Sequence, residues 1–302
     1  MPQVGDDLDS INDQICADGR LMLANTESTN PTVFEMASGR PLLRVPKPGE
    51  DIHYWAFHLA VSPDGRWLAL ARYDSIELWD IVEGKRLPFH KPHRITEYSD
   101  PEENYCRDLQ FLPDNKHLIA AHGDGTALVW ELPPEALKPP SQRMTARTWE
   151  DLASIDAHVG HNAVWAMWNE PDKALALLKE KLKPAKSPPA KELAAWIEEL
   201  GANEFAKREE AMKRLKAYGR TIESSLRQAA SRTANAEQKK RLNELLSGYQ
   251  SVASRTPEEI RAIRCVQVLE KLKDPEAKQL LRELAKGEPS AILTQEAKKT
   301  AE

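Results

Sequence analysis

The sequence predicts a mixed chain, in which an all-β half of about three small antiparallel sheets is followed by an all-α half. Three observations favour this class. Between residues 15 and 131, short apolar strands alternate with Asp-Gly or Asp-Asn turns in a pattern that recurs three times. Pro residues cluster at 133–140, and beyond them the apolar period changes from strand-like to helical. Residues 1–140 carry 13 Lys and Arg against 23 Asp and Glu, whereas residues 141–302 carry 29 against 24, which supports a boundary there.

The clearest copies of the β pattern lie at residues 54–80 and 106–131. In each copy an apolar strand meets a Pro-Asp-Gly or Pro-Asp-Asn turn, and a second strand follows. After a polar turn, a third strand ends in Trp and an acid, at residues 79–80 and 130–131. Two alternating strands joined by an Asp-Gly turn are typical of a β-hairpin. Each copy therefore predicts a hairpin that is extended by a third antiparallel strand.

A weaker copy precedes these two, with a turn at Asp18 and with Phe34-Glu35 in place of Trp and acid. The turn Asp and the aromatic residue are 16 residues apart in this copy, and 15 and 16 residues apart in the clear copies. We therefore interpret the N-terminal half as three sheets. Segments 41–45 and 85–89 predict an outer fourth strand in the first two sheets, and Pro88 suits an edge strand. No fourth strand is predicted after Trp130, because Pro133-Pro134 ends the pattern.

A hairpin with a third strand ending in Trp-Asp, repeated every several tens of residues, resembles the blade of a WD40 β-propeller. The resemblance implies a partial propeller over residues 1–134. Two features depart from the family pattern. The Gly-His pair that usually precedes each repeat is absent, and Phe34-Glu35 and Trp130-Glu131 replace Trp-Asp. We therefore expect the hydrogen-bond network within each blade to be altered and the blades to be weaker.

Three blades are too few for a closed propeller, which typically has four to eight. We therefore expect an exposed blade face and a fragile N-terminal half. The open sheets can be covered in three ways: by upstream blades, by further copies or a partner chain, or by the helical half. Upstream blades are favoured, because the first blade begins with almost no lead-in. Residues 93–104 predict a surface loop.

Residues 135–147 predict a Pro-rich linker, semi-rigid and extended, and residues 148–302 predict an α-helical domain. Helix starts are indicated at Thr148, Pro171, Asn203, Thr256 and Asp274. Residues 256–259 form a capping-box sequence with Pro at the first helical position. Short helices joined by Gly and Asp-Pro turns resemble a HEAT-like α-solenoid.

The order of blades before a helical tail resembles an arrangement in large WD40-rich bacterial proteins typical of planctomycetes. This resemblance implies an intracellular, non-catalytic interaction scaffold with protein partners and no cofactor. The N-terminus lacks a signal-peptide pattern, and no run reaches 18 apolar residues. We therefore expect a cytoplasmic protein without a membrane segment.

No catalytic, cofactor-binding or metal-ligating residues are predicted. Two His pairs are candidate metal ligands, His90/His93 in a loop and His158/His161 at an expected helix break. Zinc requires three or four ligands, and neither pair has a Cys or a third His nearby. Exposed His in loops is the simpler interpretation. The isolated Cys16, Cys106 and Cys265 predict small buried residues rather than disulfides or a zinc site.

Other chemistry-bearing residues also have a structural explanation. Acids that recur once or twice per blade predict turn hydrogen bonds rather than a glycosidase pair: Asp64, Asp74, Asp114 and Asp124. Core packing is predicted for Trp149, Trp165, Trp168 and Trp196.

The helical half has a basic surplus, and its Lys and Arg cluster at 179–191, 207–220 and 239–241. Binding of the nucleic-acid backbone by these clusters is the alternative function. Acids interleave every cluster, which is typical of an ordinary solvated helix surface with i,i+4 pairs. Nucleic acid is therefore not the expected partner.

Overall fold

The computed structural model of the chain describes residues 14–16, 19–24, 30–46, 58–71, 75–87, 89 and 106–301. The chain divides into two compact units, residues 1–141 and residues 142–302. Antiparallel sheets build the first unit and packed helices build the second, which confirms the predicted fold class.

The described residues of the first unit form three sheets, here called blades. Blade 1 contains β1 (Gln14–Cys16), β2 (Leu21–Ala24), β3 (Thr32–Glu35) and β4 (Arg40–Arg44). Blade 2 contains β5 (His58–Val61), β6 (Trp67–Ala71), β7 (Ile76–Asp80) and β8 (Lys85–Leu87). Blade 3 contains β9 (Cys106–Phe111), β10 (His117–His122) and β11 (Ala127–Glu131). All paired strands are antiparallel, and β4 and β8 are the predicted outer strands.

The hairpin turns have the backbone geometry that the Asp-Gly and Asp-Asn pairs predict. Gly65 in blade 2 has φ +78°, and Asn115 occupies the same place in blade 3 with φ +57°. Gly and Asn are the residues that tolerate this left-handed region best. The equivalent turns explain why two different sequences form similar hairpins.

Blade 2 is the centre of the first unit, because its sheet is buried on both faces. Every residue of β6 is buried. On one face, Trp67, Ala69 and Leu78 share a hydrophobic core with blade 3, whose contribution includes Leu109, Phe111 and Leu118. Burying a Leu or Phe side chain contributes roughly 1.5–3 kcal/mol relative to exposure. The contact between blades 2 and 3 is therefore a substantial part of the stability of this unit.

The second face of blade 2 is also covered. Its Leu68 and Leu70 are fully buried, and so is Val33 in blade 1. Arg20, in the first turn of blade 1, donates a hydrogen bond from Nη2 to the carbonyl oxygen of Pro63 at 3.3 Å. This contact joins equivalent turns of neighbouring blades, so blade 1 lies beside blade 2.

The segment after blade 3 differs from the extended connector that the Pro content predicts. Pro134–Leu137 form a short helix, α1, with Pro at its first position. Leu132 and Ala136 belong to the core of blades 2 and 3. Arg66 donates from Nη1 to the carbonyl oxygens of Ala136 and Lys138, at 3.3 Å for Ala136. These contacts hold the segment against the sheets, and residues 134–137 are helical rather than extended.

The second unit begins with four helices, α2 (Thr148–Asp151), α3 (Ala157–Asn169), α4 (Pro171–Lys181) and α5 (Ala190–Glu199). Three more follow, α6 (Phe205–Tyr218), α7 (Glu223–Arg232) and α8 (Ala236–Gly248). The last three are α9 (Pro257–Leu272), α10 (Pro275–Leu284) and α11 (Ile292–Ala301). Short 3-10 turns lie at Gly219–Ile222 and Val252–Ser254.

Two hydrophobic cores hold these helices. The first joins α3, α4, α9, α10 and α11, with Met167, Leu178 and Val268 fully buried. The second joins α5 to α8 around Leu215, Leu226 and Leu242. α9 packs against α3 as well as against α10 and α11. In a solenoid each repeat contacts only its neighbours, so this long-range contact is more bundle-like, and HEAT-like stacking stays a prediction.

Several predicted helix starts are confirmed at the level of hydrogen bonds. The Thr256 hydroxyl accepts a bond from the amide of Glu259 at 3.2 Å, and the Glu259 carboxylate accepts one from the amide of Thr256 at 2.9 Å. Asp274 caps α10 by accepting a bond from the amide of Glu276 at 2.7 Å. Two other predicted caps are wrong. The sequence also favours Thr148 and Asn203 as the capping residues of their helices, but α2 begins at Thr148 itself, after Arg147, and Glu204 rather than Asn203 precedes α6.

The expected helix break at residues 158–161 is also wrong, because α3 continues through it. Asp156 caps the helix by accepting a hydrogen bond from the amide of His158 at 2.9 Å. Gly160 instead allows the side chain of Arg264 to pack closely against α3. A Cβ added there would lie 1.9 Å from Cζ of the buried Arg264.

Candidate interaction surfaces

Blade 3 packs one face against blade 2, although Leu128 on that face is 44% exposed, and its second face points away from blade 2. Strand register assigns eight side chains to the second face, here called the blade-3 outer face: Asp108, Gln110, His117, Ile119, Ala121, Ala127, Val129 and Glu131. Directly opposed residues of an antiparallel pair share a face, so this set is contiguous. It forms one surface on three neighbouring strands.

The centre of the blade-3 outer face is apolar and its margins are polar. Val129 is 59% exposed, and it lies opposite the half-buried Ile119 in the sheet. The exposed acids Asp108 and Glu131 lie at the margins. An apolar centre with a polar rim is the usual composition of a protein interface. The outer edge of blade 3 adds to this surface, because no described strand pairs with the far side of β11.

Blade 1 has a corresponding surface on the side away from blade 2. The blade-1 outer face consists of Ile15, Met22, Ala24, Thr32, Phe34, Pro41 and Arg44. Ile15 is 71% exposed, and Met22 and Phe34 beside it are half-buried. An apolar row crosses the four strands, because each of its residues lies opposite the next on the neighbouring strand: Ile15, Met22, Phe34 and Pro41. The predicted exposed blade face is thus present at both ends of the stack.

The acid that ends each third strand has a different environment in each blade. Asp80 in blade 2 is buried, and Arg66 donates to its Oδ2 from Nε at 3.1 Å and from Nη2 at 2.9 Å. Glu35 in blade 1 is buried, and Ser38 donates its hydroxyl to Oε2 at 2.6 Å. Glu131 in blade 3 is exposed. The terminal acid is therefore buried and hydrogen-bonded within its own blade in blades 1 and 2, and exposed in blade 3.

The turn acids in the described residues make the backbone hydrogen bonds that turn chemistry predicts. Asp64 Oδ1 accepts a bond from the amide of Arg66 at 3.0 Å. Asp114 Oδ1 accepts one from the amide of Lys116 at 2.9 Å, and this bond and the contact with His117 lower the pKa of Asp114. Asp124 Oδ1 accepts hydrogen bonds from the hydroxyl and the amide of Thr126, and these two bonds lower the pKa of Asp124. These carboxylates are engaged in their own turns.

Several sequence candidates lie outside the described residues: Asp18, Asp74, Pro88, His90, His93 and the predicted loop at 93–104. Of the other His pair, His161 is buried in α3 and its Nε2 accepts a bond from Nε1 of Trp165 at 3.0 Å. The interpretation of that His as an exposed loop residue is therefore wrong. Within the described ranges, no three His, Cys, Asp or Glu side chains are grouped as a metal site requires.

Two of the three cysteines have described side chains, and both are buried free thiols. Burial raises the pKa of Cys106 to about 11 and the pKa of Cys265 to about 12. A thiol with a raised pKa is a poor nucleophile and a poor metal ligand at neutral pH, because the thiolate is the reactive form. The prediction of small buried residues is confirmed for these two.

The basic clusters of the helical unit take part in ion pairs. Arg241 contacts Glu209 at 2.8 Å and Glu237 at 2.7 Å, and Arg214 contacts Glu210 at 3.1 Å. Exposed pairs of this kind contribute only about 0–1 kcal/mol to stability. Their importance here is electrostatic, because each paired acid reduces the positive potential that a nucleic-acid backbone would require.

The Trp residues of the helical unit pack against its cores, as predicted. Trp149 and Trp168 adjoin the first core and Trp196 adjoins the second. The Lys271 ammonium lies over the rings of Trp165 and Trp168, with Nζ 4.5 Å and 3.9 Å from their centroids. None of the described helices combines the length and apolarity needed to cross a bilayer.

The WD40 family model, described as "WD domain, G-beta repeat", matches residues 93–131, which include all three strands of blade 3. A protein of Oryza sativa subsp. japonica, small ribosomal subunit protein RACK1y, is 26% identical over 118 residues. The match covers 39% of this chain and 33% of that protein. The Drosophila melanogaster protein, small ribosomal subunit protein RACK1, is 24% identical over 118 residues, which are 39% of this chain and 36% of that protein.

The chain thus spans about a third of the length of these curated relatives. Among solved structures, that of U3-55K aligns with 40% of this chain and 35% of its own, at 22% identity and a TM-score of 0.32. The family model and the relatives place WD40 repeats in about the first 40% of the chain, and a helical region follows them.

Proposed function

We propose that this chain is a non-catalytic protein-interaction scaffold, in which blades and helical hairpins serve as binding surfaces. The observation that carries the proposal is the pair of outer faces on blades 1 and 3. Each has exposed apolar side chains, Ile15 on one and Val129 on the other, beside charged residues. Solvation of such a surface is unfavourable, and association with another protein removes it from water. The WD40 repeats support the same interpretation, because this family generally binds proteins and is non-catalytic.

The finer parts of the proposal depend on the resemblance noted in the sequence. They comprise the division into residues 1–134, 135–147 and 148–302, HEAT-like stacking of the helices, and a cytoplasmic location. The order of blades before helices, as in WD40-rich proteins of planctomycetes, supports them. The hairpin-like packing of α5 on α6 and of α7 on α8 supports the stacking.

The test is capture of partners from the native cell with the full chain as bait, followed by quantitative mass spectrometry. We expect specific proteins to be retained by the wild type. Val129→Glu on the blade-3 outer face, and Phe205→Glu on the helical unit, where Phe205 is 64% exposed, each change one surface. Loss of a partner with one variant and its retention with the other would assign the binding surface. Recovery of no specific protein by the wild type would contradict the proposal.

The alternative function, binding of nucleic-acid backbone by the helical unit, is tested by a gel shift of the full chain at low salt. Binding that does not depend on sequence and weakens steeply with salt would favour it. The ion pairs of Arg241 and Arg214 lead us to expect no shift.

A further inference from the structure

We propose that the blade-1 outer face of one copy of this chain packs against the blade-3 outer face of a second copy, so that two sets of three blades close into one ring. The inference deepens the proposed scaffold function by naming one partner, a second copy. Its basis is a comparison with the interface between blades 2 and 3.

Strand register shows which positions of the three blades are equivalent. In each blade the second strand (β2, β6 or β10) begins opposite the acid that ends the third strand (β3, β7 or β11). The pairs are Leu21 and Glu35, Trp67 and Asp80, and His117 and Glu131. Counting from these pairs, Val129 of blade 3 is equivalent to Leu78 of blade 2. Ile119 and Ala121 are likewise equivalent to Ala69 and Ala71.

The blade-3 outer face is therefore the same kind of face that blade 2 presents to blade 3. Ala69, Ala71 and Leu78 all lie in the core that blades 2 and 3 share. Their equivalents Ile119 and Val129 are also apolar, but Val129 is largely exposed. Blade 3 thus has the surface for receiving a further blade.

The blade-1 outer face is the complementary half of this interface. Ile15, Met22 and Phe34 are equivalent to Phe111, Leu118 and Trp130 of blade 3. Phe111 and Leu118 lie in the core shared with blade 2, and Trp130 packs against it. Both halves of an internal blade contact are therefore present on this chain, one at each end of the stack, and each is open.

Charge favours the same pairing. The blade-1 outer face carries the exposed Arg44, and its described side chains include no acid. The blade-3 outer face carries the exposed Asp108 and Glu131. Two copies of blade 3 would bring these acids together, whereas blade 1 against blade 3 brings opposite charges to one interface. Complementary charge of this kind selects the partner and the register.

Closure also selects a pair of copies. Heterologous contacts form a ring when the rotation closes and an open fibre when it does not. Two copies supply six blades, since the described residues of each copy form three sheets, and closed propellers typically have four to eight blades. A dimer related by a two-fold axis would cover both outer faces of both copies.

The experiment measures the mass of the full chain in solution by light scattering after size exclusion, over a range of concentrations. The expected mass of the wild type is twice the 34.0 kDa of one chain. Ile15→Glu and Val129→Glu introduce an acid at exposed positions, one on each outer face, and each is expected to give monomers. Phe205→Ser, an exposed apolar position in the helical unit, is the matched control and is expected to leave the dimer intact. Circular dichroism checks that each variant is folded.

Mixing the two monomeric variants tests the geometry itself. A mixture of Ile15→Glu and Val129→Glu has one interface with both faces unaltered, so it is expected to recover dimers. If Val129→Glu abolishes the dimer and Ile15→Glu does not, blade 3 packs against blade 3 of the second copy, and the inference is overturned. A monomeric wild type would overturn it as well. If that monomer still captured other proteins through Val129, the scaffold function would stand and only the second copy would be excluded as its partner.

Discussion

The guanidinium of Arg66 donates two hydrogen bonds to one carboxylate oxygen of Asp80, with Nε and Nη2 at 3.1 Å and 2.9 Å from Oδ2. Both residues are buried. Asp80 Oδ1 accepts the amides of Val82 and Glu83 at 2.9 Å and 3.0 Å, which closes the turn after β7. The remaining guanidinium nitrogen, Nη1, binds the carbonyl of Ala136. One ion pair therefore connects the hairpin turn, the third strand and the segment after blade 3.

Replacement of Asp80 by Ala should destabilise the first unit by about 3–5 kcal/mol, because it leaves the Arg66 guanidinium buried without its counter-ion. The measurement is a urea titration in which alkylation of Cys106, resolved by peptide mass spectrometry, reports unfolding of the blades. Arg86→Ala is the control. Arg86 pairs with Glu77 at 3.3 Å from an exposed position, so its loss should change stability by less than about 1 kcal/mol. Equal effects of the two variants would contradict the role of the buried pair.

The parts of the fold that depend on local chemistry were predictable from the sequence. The turns at Gly65 and Asn115 follow from which residues tolerate positive φ, and the start of α9 follows from the capping box at Thr256. The strand pattern of the blades follows from alternating apolar residues between such turns. Each of these features involves residues close together in the chain.

Features that depend on distant partners were not predictable. Arg66 follows a turn and looks like a solvent-exposed residue, and only its contact with Asp80 and Ala136 explains its burial. Gly160 resembles a helix break because Arg264 is remote in sequence. Residues of the outer faces were missed for a related reason. The strand pattern of β11 places Val129 on the opposite face from Leu128 and Trp130, but it does not indicate which of the two faces another blade covers.

Gly160→Ala should destabilise the helical unit, although Ala favours a helix over Gly by about 1 kcal/mol. The added methyl would overlap the Arg264 guanidinium, which is fully buried and donates from Nη1 to the carbonyls of Leu152 and Ser154 at 2.8 Å and 2.7 Å. Overpacking typically costs about 1–3 kcal/mol. Thermal unfolding followed by circular dichroism measures the change. Gly248→Ala in α8 is the matched control, because its added Cβ meets nothing within 4 Å, and it should leave stability equal or raised. A stabilising effect of Gly160→Ala would contradict the packing argument.

Glu259→Ala should be more destabilising than Thr256→Ala, although both remove the capping box of α9. Loss of the Thr256 hydroxyl costs about 1 kcal/mol, as for other N-caps. Glu259 has a further role, because its Oε1 also accepts the amide of Arg220 at 2.7 Å. The Arg220 amide is partly buried, so leaving it without its acceptor adds about 1 kcal/mol, at the lower end of the cost for a buried donor. Chemical denaturation of the two variants gives the order, and an equal loss would show that the Arg220 contact contributes nothing.

Burial should make the reactivity of Cys106 and Cys265 toward thiol reagents very low in the folded chain. The pKa of Cys106 is raised from 9.0 to about 11, and that of Cys265 from 9.0 to about 12. At pH 8 the thiolate fraction of Cys106 is then about 100-fold lower than in the unfolded chain, and steric burial slows alkylation further. Well below the unfolded pKa of 9.0 both thiols are protonated in the folded and unfolded chain, so their contribution to stability is constant there. It is lost as the pH rises from 9 toward 11 and 12, because the unfolded chain then binds fewer protons.

These two thiols also report the two units separately, since Cys106 lies in blade 3 and Cys265 in α9. At protein concentrations where the chain is monomeric, we expect alkylation of Cys106 at lower urea concentration than alkylation of Cys265. The reason is that blades 1 and 3 each leave one sheet face in water, whereas Cys265 lies in a core enclosed by five helices. Raising the protein concentration should shift only the Cys106 transition upward if a second copy covers the outer faces, because association stabilises the folded state by mass action. Simultaneous labelling of both thiols at every concentration would contradict independent unfolding of the two units.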